Sequence, residues 1–243
     1  MALPILADIQ WSTLNGETLG VLTCGQLDRE MYVAVNRGLE ILGGKWNKKA
    51  GGHIFYEDPR PQLSAMLGTG TVTVERDGFF RTPQAVVLKM WKMLENKREP
   101  VLEPSAGDGA ICDVLKVCGV TRIVAIEKNE YRRTVLQGKG YAVHTETNFL
   151  EYFYEFPTIV MNPPFEEGQD IVHITHAFEN CLEVNGELVS VVSEGPFFRS
   201  DGRSFAFRKL VNTYGESVSL PDGAFKESGT MVKTRLVYLK KAR

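Results

Sequence analysis

From residue 80 onward, short apolar runs alternate with longer stretches whose apolar positions recur at helical spacing. Runs at 100–104, 122–127, 141–145, 158–161 and 187–193 read as strands, and 109–118, 129–137, 169–183 and 203–213 as the helices between them. A two-residue turn reverses a strand, whereas an intervening helix carries the chain back across the sheet, so strands joined this way run parallel. Two late runs, 216–220 and 234–240, have no helix between them and predict an antiparallel hairpin at one edge. A further helix opens at Thr82-Pro83 and runs to about Glu95, with Thr82 as N-cap and Pro83 at the first helical position. The expected architecture for residues 80–243 is an α/β domain with seven strands, mostly parallel, covered by helices on both faces.

Residues 1–79 differ in character and read as a small α+β accessory region. Met31, Val35, Leu39 and Leu42 recur at helical spacing across 28–42, and Gly43-Gly44 stops that helix. Lys45–Gly52 reads as a loop, 53–56 and 71–76 as short strands. Lys45, Lys48 and Lys49 with Trp46 and His53 make a basic, aromatic-containing stretch. Two readings stand side by side: a contact to phosphates or bases, or a solvated loop with Trp46 tucked into the core.

Two turns carry chemistry. The run 100–104 leads into Glu103-Pro-Ser105-Ala106-Gly107-Asp-Gly109, then a helix. Glycines there let the backbone approach a ligand closely, and the helix start offers free N–H groups. The turn lacks the third glycine of a dinucleotide fingerprint and its glycines are preceded by an acid, Glu103, which repels a pyrophosphate and suits an ammonium group. The next strand ends in Glu127-Lys128, and a carboxylate at that place accepts from ribose hydroxyls. The second turn, Asn162-Pro163-Pro164-Phe165, follows the run 158–161. Two prolines stiffen it and remove two amide donors, leaving the Asn162 oxygen and the Pro163 carbonyl as acceptors. Such a loop holds an amino group, and Phe165 offers a face on which a planar base stacks for roughly 1–3 kcal/mol.

Composition narrows the rest. The 243-residue chain has a formal net charge of −2, which weighs against sequence-blind contact with many phosphates. No apolar run is long enough for a membrane span, and the N-terminus MALPILADIQ lacks the form of a secretory signal. Cys24, Cys112, Cys118 and Cys181 form no CxxC pair, which suits reduced thiols and a cytoplasmic protein. His173 and His176 share a helical face without an acidic or cysteine cluster, so they are expected to be ordinary helix residues and no metal is expected.

In their order these motifs resemble the class I S-adenosylmethionine-dependent methyltransferases, specifically the amino-methylating group with an NPPF-type loop, and among them the gamma-type adenine-N6 DNA methyltransferases. The resemblance spans about residues 79–240 and implies a Rossmann-like sheet. It places Phe80-Arg81-Thr82-Pro83 in the cofactor pocket with Glu103, Ser105, Ala106, Gly107, Gly109, Glu127, Lys128 and Asn162. It makes Asn162, Pro163, Pro164 and Phe165 the catalytic loop, with a flipped base held beside the sulfonium methyl. It matches Gly223–Thr230, including Phe225 and Lys226, to a loop that helps hold the base. One departure is Asn148-Phe149, where the family carries Asp before a hydrophobic residue; Asn148 still offers an oxygen to the cofactor's adenine, and Phe149 flanks its ring.

Phe197, Phe198 and Arg199 follow the run 187–193 and fall on the sheet edge where open α/β sheets bind ligands. Arg199, Arg203 and Arg208 meet nucleic acid or decorate a helix; Lys226, Lys233 and Arg235 flank the late hairpin and are candidates to clamp a backbone. The expected activity is methyl transfer to an exocyclic amino nitrogen, first N6 of adenine in DNA. RNA (adenine N6 or guanine N2) or a protein glutamine amide is the alternative, glutamine modifiers carrying Tyr more often where Phe165 stands. A non-catalytic binding module is the third reading, and intact Asn162 and Phe165 argue against it. The resemblance also points to phage- or plasmid-borne enzymes.

Overall fold

The computed structural model describes residues 3–14, 16–55, 58–69, 79–228 and 230–242. It divides into two compact units, Met1–Arg76 and Asp77–Arg243. The strand expected at 71–76 lies outside the described residues.

In the first unit, α1 (Leu3–Ala7), β1 (Ile9–Leu14), β2 (Glu17–Leu22), α2 (Arg29–Ile41), β3 (Lys45–Asn47), β4 (Gly52–Phe55) and α3 (Arg60–Thr69) follow in order. The sheet runs β1-β2-β4-β3, antiparallel throughout. Asp28 caps α2 by accepting from the Met31 amide at 2.8 Å. Val35 and Leu39 of the helix and its C-cap Leu42 face a core shared with Leu6, Ile9, Phe55 and Leu63. Gly43 ends it in a left-handed conformation, φ +86°. The expected Lys45–Gly52 loop is instead a hairpin, with Trp46 opposite His53. Trp46 is 52% exposed and meets the His53 ring edge-on, so it is not tucked into the core.

The second unit carries α4 (Gln84–Met93), β5 (Val101–Glu103), α5 (Ala110–Val117), β6 (Ile123–Ala125), α6 (Glu130–Gly138) and β7 (Ala142–Val143). It continues with β8 (Phe156–Met161), α7 (Gln169–His176), β9 (Leu182–Ser193), α8 (Gly202–Tyr214), β10 (Gly215–Ser219) and β11 (Thr234–Lys240). A single π turn, Ala177–Cys181, extends α7 towards β9. The seven strands lie in the order β10-β11-β9-β8-β5-β6-β7. β5, β6, β7, β8 and β9 pair in parallel, while β11 runs antiparallel to β9 and to β10. This is a Rossmann-like α/β fold with an antiparallel edge hairpin.

All six residues of β8 are buried, as a strand covered on both faces requires. On one face Val86, Val87 and Met90 of α4 pack with Ile111 and Leu115 of α5. On the other, Ile171 and Ile174 of α7 pack with Phe207 and Val211 of α8. One cap differs from expectation: Pro83, not Thr82, is the N-cap of α4, in an extended conformation and without a side-chain cap bond. The Thr82 hydroxyl has another partner, described below. The order of the strands positions the site. From β5 the chain winds one way to β6 and β7, and β8 and β9 lie on the other side. The crevice at the C-terminal ends of β5 and β8 is therefore the topological switch point where open sheets bind ligands.

Candidate active site

The two sequence turns meet at that switch point. β5 and β8 are hydrogen-bonded neighbours, so the turn after Glu103 and the loop after Met161 leave the sheet side by side. Gly107 and Gly109 both adopt positive φ, +56° and +88°. A Cβ at Gly107 would lie 2.1 Å from the Phe79 ring, so any other residue must displace that ring as well as adopt a left-handed backbone.

Carboxylates surround the turn. Glu127 accepts from the Gly107 amide through Oε2 and from the Asn129 amide through Oε1, both at 2.7 Å, with the Arg132 guanidinium 3.7 Å away. Each of its oxygens keeps a second lone pair. The Arg132 guanidinium stacks on Phe79 at 4.0 Å. Asp108 pairs with Arg81 at 2.7 Å, and its carbonyl accepts from Lys139 at 2.6 Å. Glu103 is 1% exposed and takes a hydrogen bond from the Cys112 thiol at 2.8 Å. Burial pushes its carboxyl well above the usual range; the Cys112 bond opposes this, and the neighbouring Asp108 and Glu127 charges add to it. A fully buried acid with so little compensation fits a cationic partner, and a glycine turn beside a strand-end acid fits a ribosyl group.

Asn162 is held from behind. Its Nδ2 donates to the Phe80 carbonyl at 3.1 Å and to the Thr82 hydroxyl at 3.0 Å. A carbonyl only accepts, so the amide nitrogen must face Phe80 and the oxygen must face away. That oxygen, Oδ1, is buried and has no hydrogen-bond partner among the described residues. Pro163 is buried, whereas Pro164 and Phe165 are half-buried and Phe165 packs on the core cluster beneath it. Ser228 donates to the Arg81 carbonyl at 2.5 Å, tying the 223–230 loop to the segment that holds Asn162.

Several expected positions serve packing instead. Phe225 is fully buried in the core, which leaves no face of its ring for a base; Lys226 beside it is exposed. Phe149 is also buried, its ring edge-on to His176 at 5.0 Å, so it does not flank a ligand as placed. Asn148 is exposed, its oxygen capping the Leu150 amide at 3.3 Å and its nitrogen donating to Glu151 at 2.6 Å. Lys128 is exposed, Ser105 half-buried and Ala106 buried within the turn. Phe198 is 78% exposed and Arg199 is exposed beside it, while Phe197 packs on Phe207 beneath the Arg235 guanidinium. His173 is partly buried, and burial lowers its pKa to about 4, with His176 adding to the effect. A cavity of about 610 Å³ lies elsewhere, between α7 and α8, lined by Ile171, Thr175, Phe207 and Leu210; neither ligand turn lines it. Sequence reasoning missed Phe79, Asp108 and Arg132. Asp108, an acid between the two glycines, was the available signal.

No protein-family model matches the sequence, and no curated protein matches it. Solved structures do match in fold. A Streptococcus thermophilus methyltransferase subunit of a type I restriction-modification system superposes with a TM-score of 0.55 at 18% identity, over 76% of this chain and 48% of that one. A Vibrio vulnificus YJ016 protein classed as the modification subunit of a type I restriction enzyme gives 0.53 at 20% identity, over 80% and 52%. A Listeria monocytogenes protein classed with the class I S-adenosylmethionine-dependent methyltransferases gives 0.54 at 14% identity, over 89% and 76%. The chain spans about half the length of the first two. At these identities the likeness is one of fold: the seven-stranded unit has the architecture of class I methyltransferases. No helix among the described residues is long and apolar enough to cross a membrane.

Proposed function

We propose that this chain binds S-adenosylmethionine at the Gly107–Gly109 turn and transfers its methyl group to an exocyclic amino nitrogen, N6 of adenine in DNA. The observation that carries this reading is the Asn162 amide, turned by Phe80 and Thr82 so that a buried acceptor oxygen is left without a donor among the described residues. Leaving a buried acceptor unmade costs roughly 1–3 kcal/mol, and an incoming N–H removes that cost. When bound, the cofactor supplies an electrophilic methyl on a sulfonium. The chain does the rest. Glu103 meets the ammonium group and Glu127 the ribose hydroxyls. Asn162 Oδ1 and the Pro163 carbonyl accept hydrogen bonds from the two amino hydrogens, which turns the nitrogen lone pair out of conjugation with the ring and aims it; the nitrogen, acidified as it is alkylated, gives one proton to water, and S-adenosylhomocysteine is the other product. Phe165 stacks on the base. Because solvent does not reach Asn162 Oδ1, entry of the target requires the side chains around it to shift. The exposed Phe198, Arg199 and Lys226 stand ready for the flanking strand.

Adenine in DNA ranks first because the order of motifs favours it. The test is incubation with labelled S-adenosylmethionine and either plasmid DNA or total RNA, then digestion to nucleosides and mass spectrometry. The expected product is N6-methyldeoxyadenosine. Label found only in RNA or protein overturns the substrate; no label and no cofactor binding overturn the activity.

A further inference from the structure

We infer that the Phe80 carbonyl and the Thr82 hydroxyl form an amide-selective cup, which admits asparagine at position 162, excludes an ionised aspartate and fixes which atom of Asn162 meets the target. The inference rests on the reading of Asn162 proposed above and gives Thr82 a role toward the target that its place in the sequence did not show.

The chemistry is one-sided. A peptide carbonyl has lone pairs and no proton, so whatever lies 3.1 Å from Phe80 O must donate. The Asn162 NH2 has two hydrogens and two acceptors placed for them, Phe80 O and Thr82 Oγ1 at 3.0 Å. A carboxylate would bring an oxygen to the same place. Thr82 can rotate its hydroxyl and donate to it, but Phe80 cannot. An aspartate there relieves the clash only by keeping its proton, so its carboxyl titrates above the usual range. The amide needs no proton from solution, and its oxygen is an acceptor at every pH.

The cup is tied to the cofactor turn. Arg81, between the two cup residues, pairs with Asp108 at 2.7 Å, and its carbonyl is held by Ser228. Asp108 lies between Gly107 and Gly109. The orientation of Asn162 thus depends on a segment anchored at the turn beside it, and Thr82 is a positioning residue rather than a catalytic one.

Thr82→Val, Thr82→Ser and Asn162→Asp test this with three readouts: methyl transfer to plasmid DNA across pH, S-adenosylmethionine affinity by calorimetry, and the Asn162 side-chain NH2 resonances of ¹⁵N-labelled protein, assigned by their loss in Asn162→Ala. Thr82→Val is expected to lower kcat roughly three- to tenfold, the factor one neutral hydrogen bond represents, with cofactor affinity unchanged and the NH2 resonances shifted. Thr82→Ser restores both the rate and the resonances. Asn162→Asp transfers methyl at acidic pH and loses activity as pH rises, a dependence the parent protein lacks. Wild-type kcat in Thr82→Val, weakened cofactor binding in its place, or a flat pH profile for Asn162→Asp each overturns the inference. If the parent protein methylates no nucleic acid, the proposed function falls on its own. The resonances still decide the cup: a shift in Thr82→Val that Thr82→Ser reverses upholds it, and no shift overturns it.

Discussion

Replacing Glu103 with glutamine separates what the fold needs from what a cationic ligand needs. Glu103 ends β5 almost without exposure, and burial pushes its carboxyl well above the usual range, more strongly than the Cys112 hydrogen bond lowers it. The sign follows directly. A folded protein that keeps this proton to higher pH than the unfolded chain binds more protons in the interval between, so stability declines as pH rises. The decline begins near the unfolded glutamate value of about 4.3, proceeds at up to about 1.4 kcal/mol per pH unit, and levels off once pH passes the folded value. The glutamine side chain carries no such proton, is nearly isosteric, and accepts from Cys112 through its oxygen. Urea unfolding of the two ligand-free proteins at a series of pH values measures the difference and cancels every other group. The gap in favour of Glu103→Gln should widen with pH by that slope. Cofactor affinity should move the other way, falling roughly ten- to hundredfold with loss of a charge-assisted hydrogen bond of about 1.5–3 kcal/mol. Parallel stability curves would refute the argument that burial dominates at Glu103, and unchanged affinity would refute its pairing with a cation.

Gly107→Ala places a Cβ 2.1 Å from Phe79 at φ +56°; the left-handed backbone alone costs about 1–2 kcal/mol, so thermal unfolding should fall by several degrees and cofactor binding should weaken, whereas an unchanged midpoint would contradict both the strained backbone and the tight packing at this turn. Glu127→Ala strands the Gly107 and Asn129 amides and should weaken cofactor binding at least as much as Glu103→Gln; equal affinity in calorimetry would count against its place in the pocket. Glu187→Ala removes the carboxylate that accepts from the Glu95 and Asn96 amides at 2.8 and 3.0 Å behind α4, and should cost roughly 2–4 kcal/mol in urea unfolding without changing cofactor affinity per folded molecule.

The second unit was legible in sequence because a sheet buried on both faces needs apolar runs where it has strands. Its helices need helical spacing, and its ligand loops fall at strand ends. The antiparallel edge hairpin was legible from the missing helix between its strands. The hairpin of β1 and β2 carried a signal that went unused, Asn15-Gly16 between two runs of strand formers, and Gly16 has φ +85°. What sequence could not give was partnership across distance. Thr82 sits where a helix cap belongs, and only the fold brings it to Asn162. Phe149 and Phe225 have the right residue type in the right order, but core packing claims both rings. Trp46 is on a short hairpin whose first strand is too brief to show alternation.

Asn162 Oδ1, buried and without a hydrogen-bond partner among the described residues, is the proposed grip on an amino nitrogen. Steady-state transfer to plasmid DNA and cofactor calorimetry, measured side by side for the parent protein and Asn162→Ala, address it most directly. In Asn162→Ala kcat should fall at least about a hundredfold, the size expected when a transition-state hydrogen bond is removed, while S-adenosylmethionine binds with unchanged affinity. Undiminished turnover in Asn162→Ala would contradict that grip.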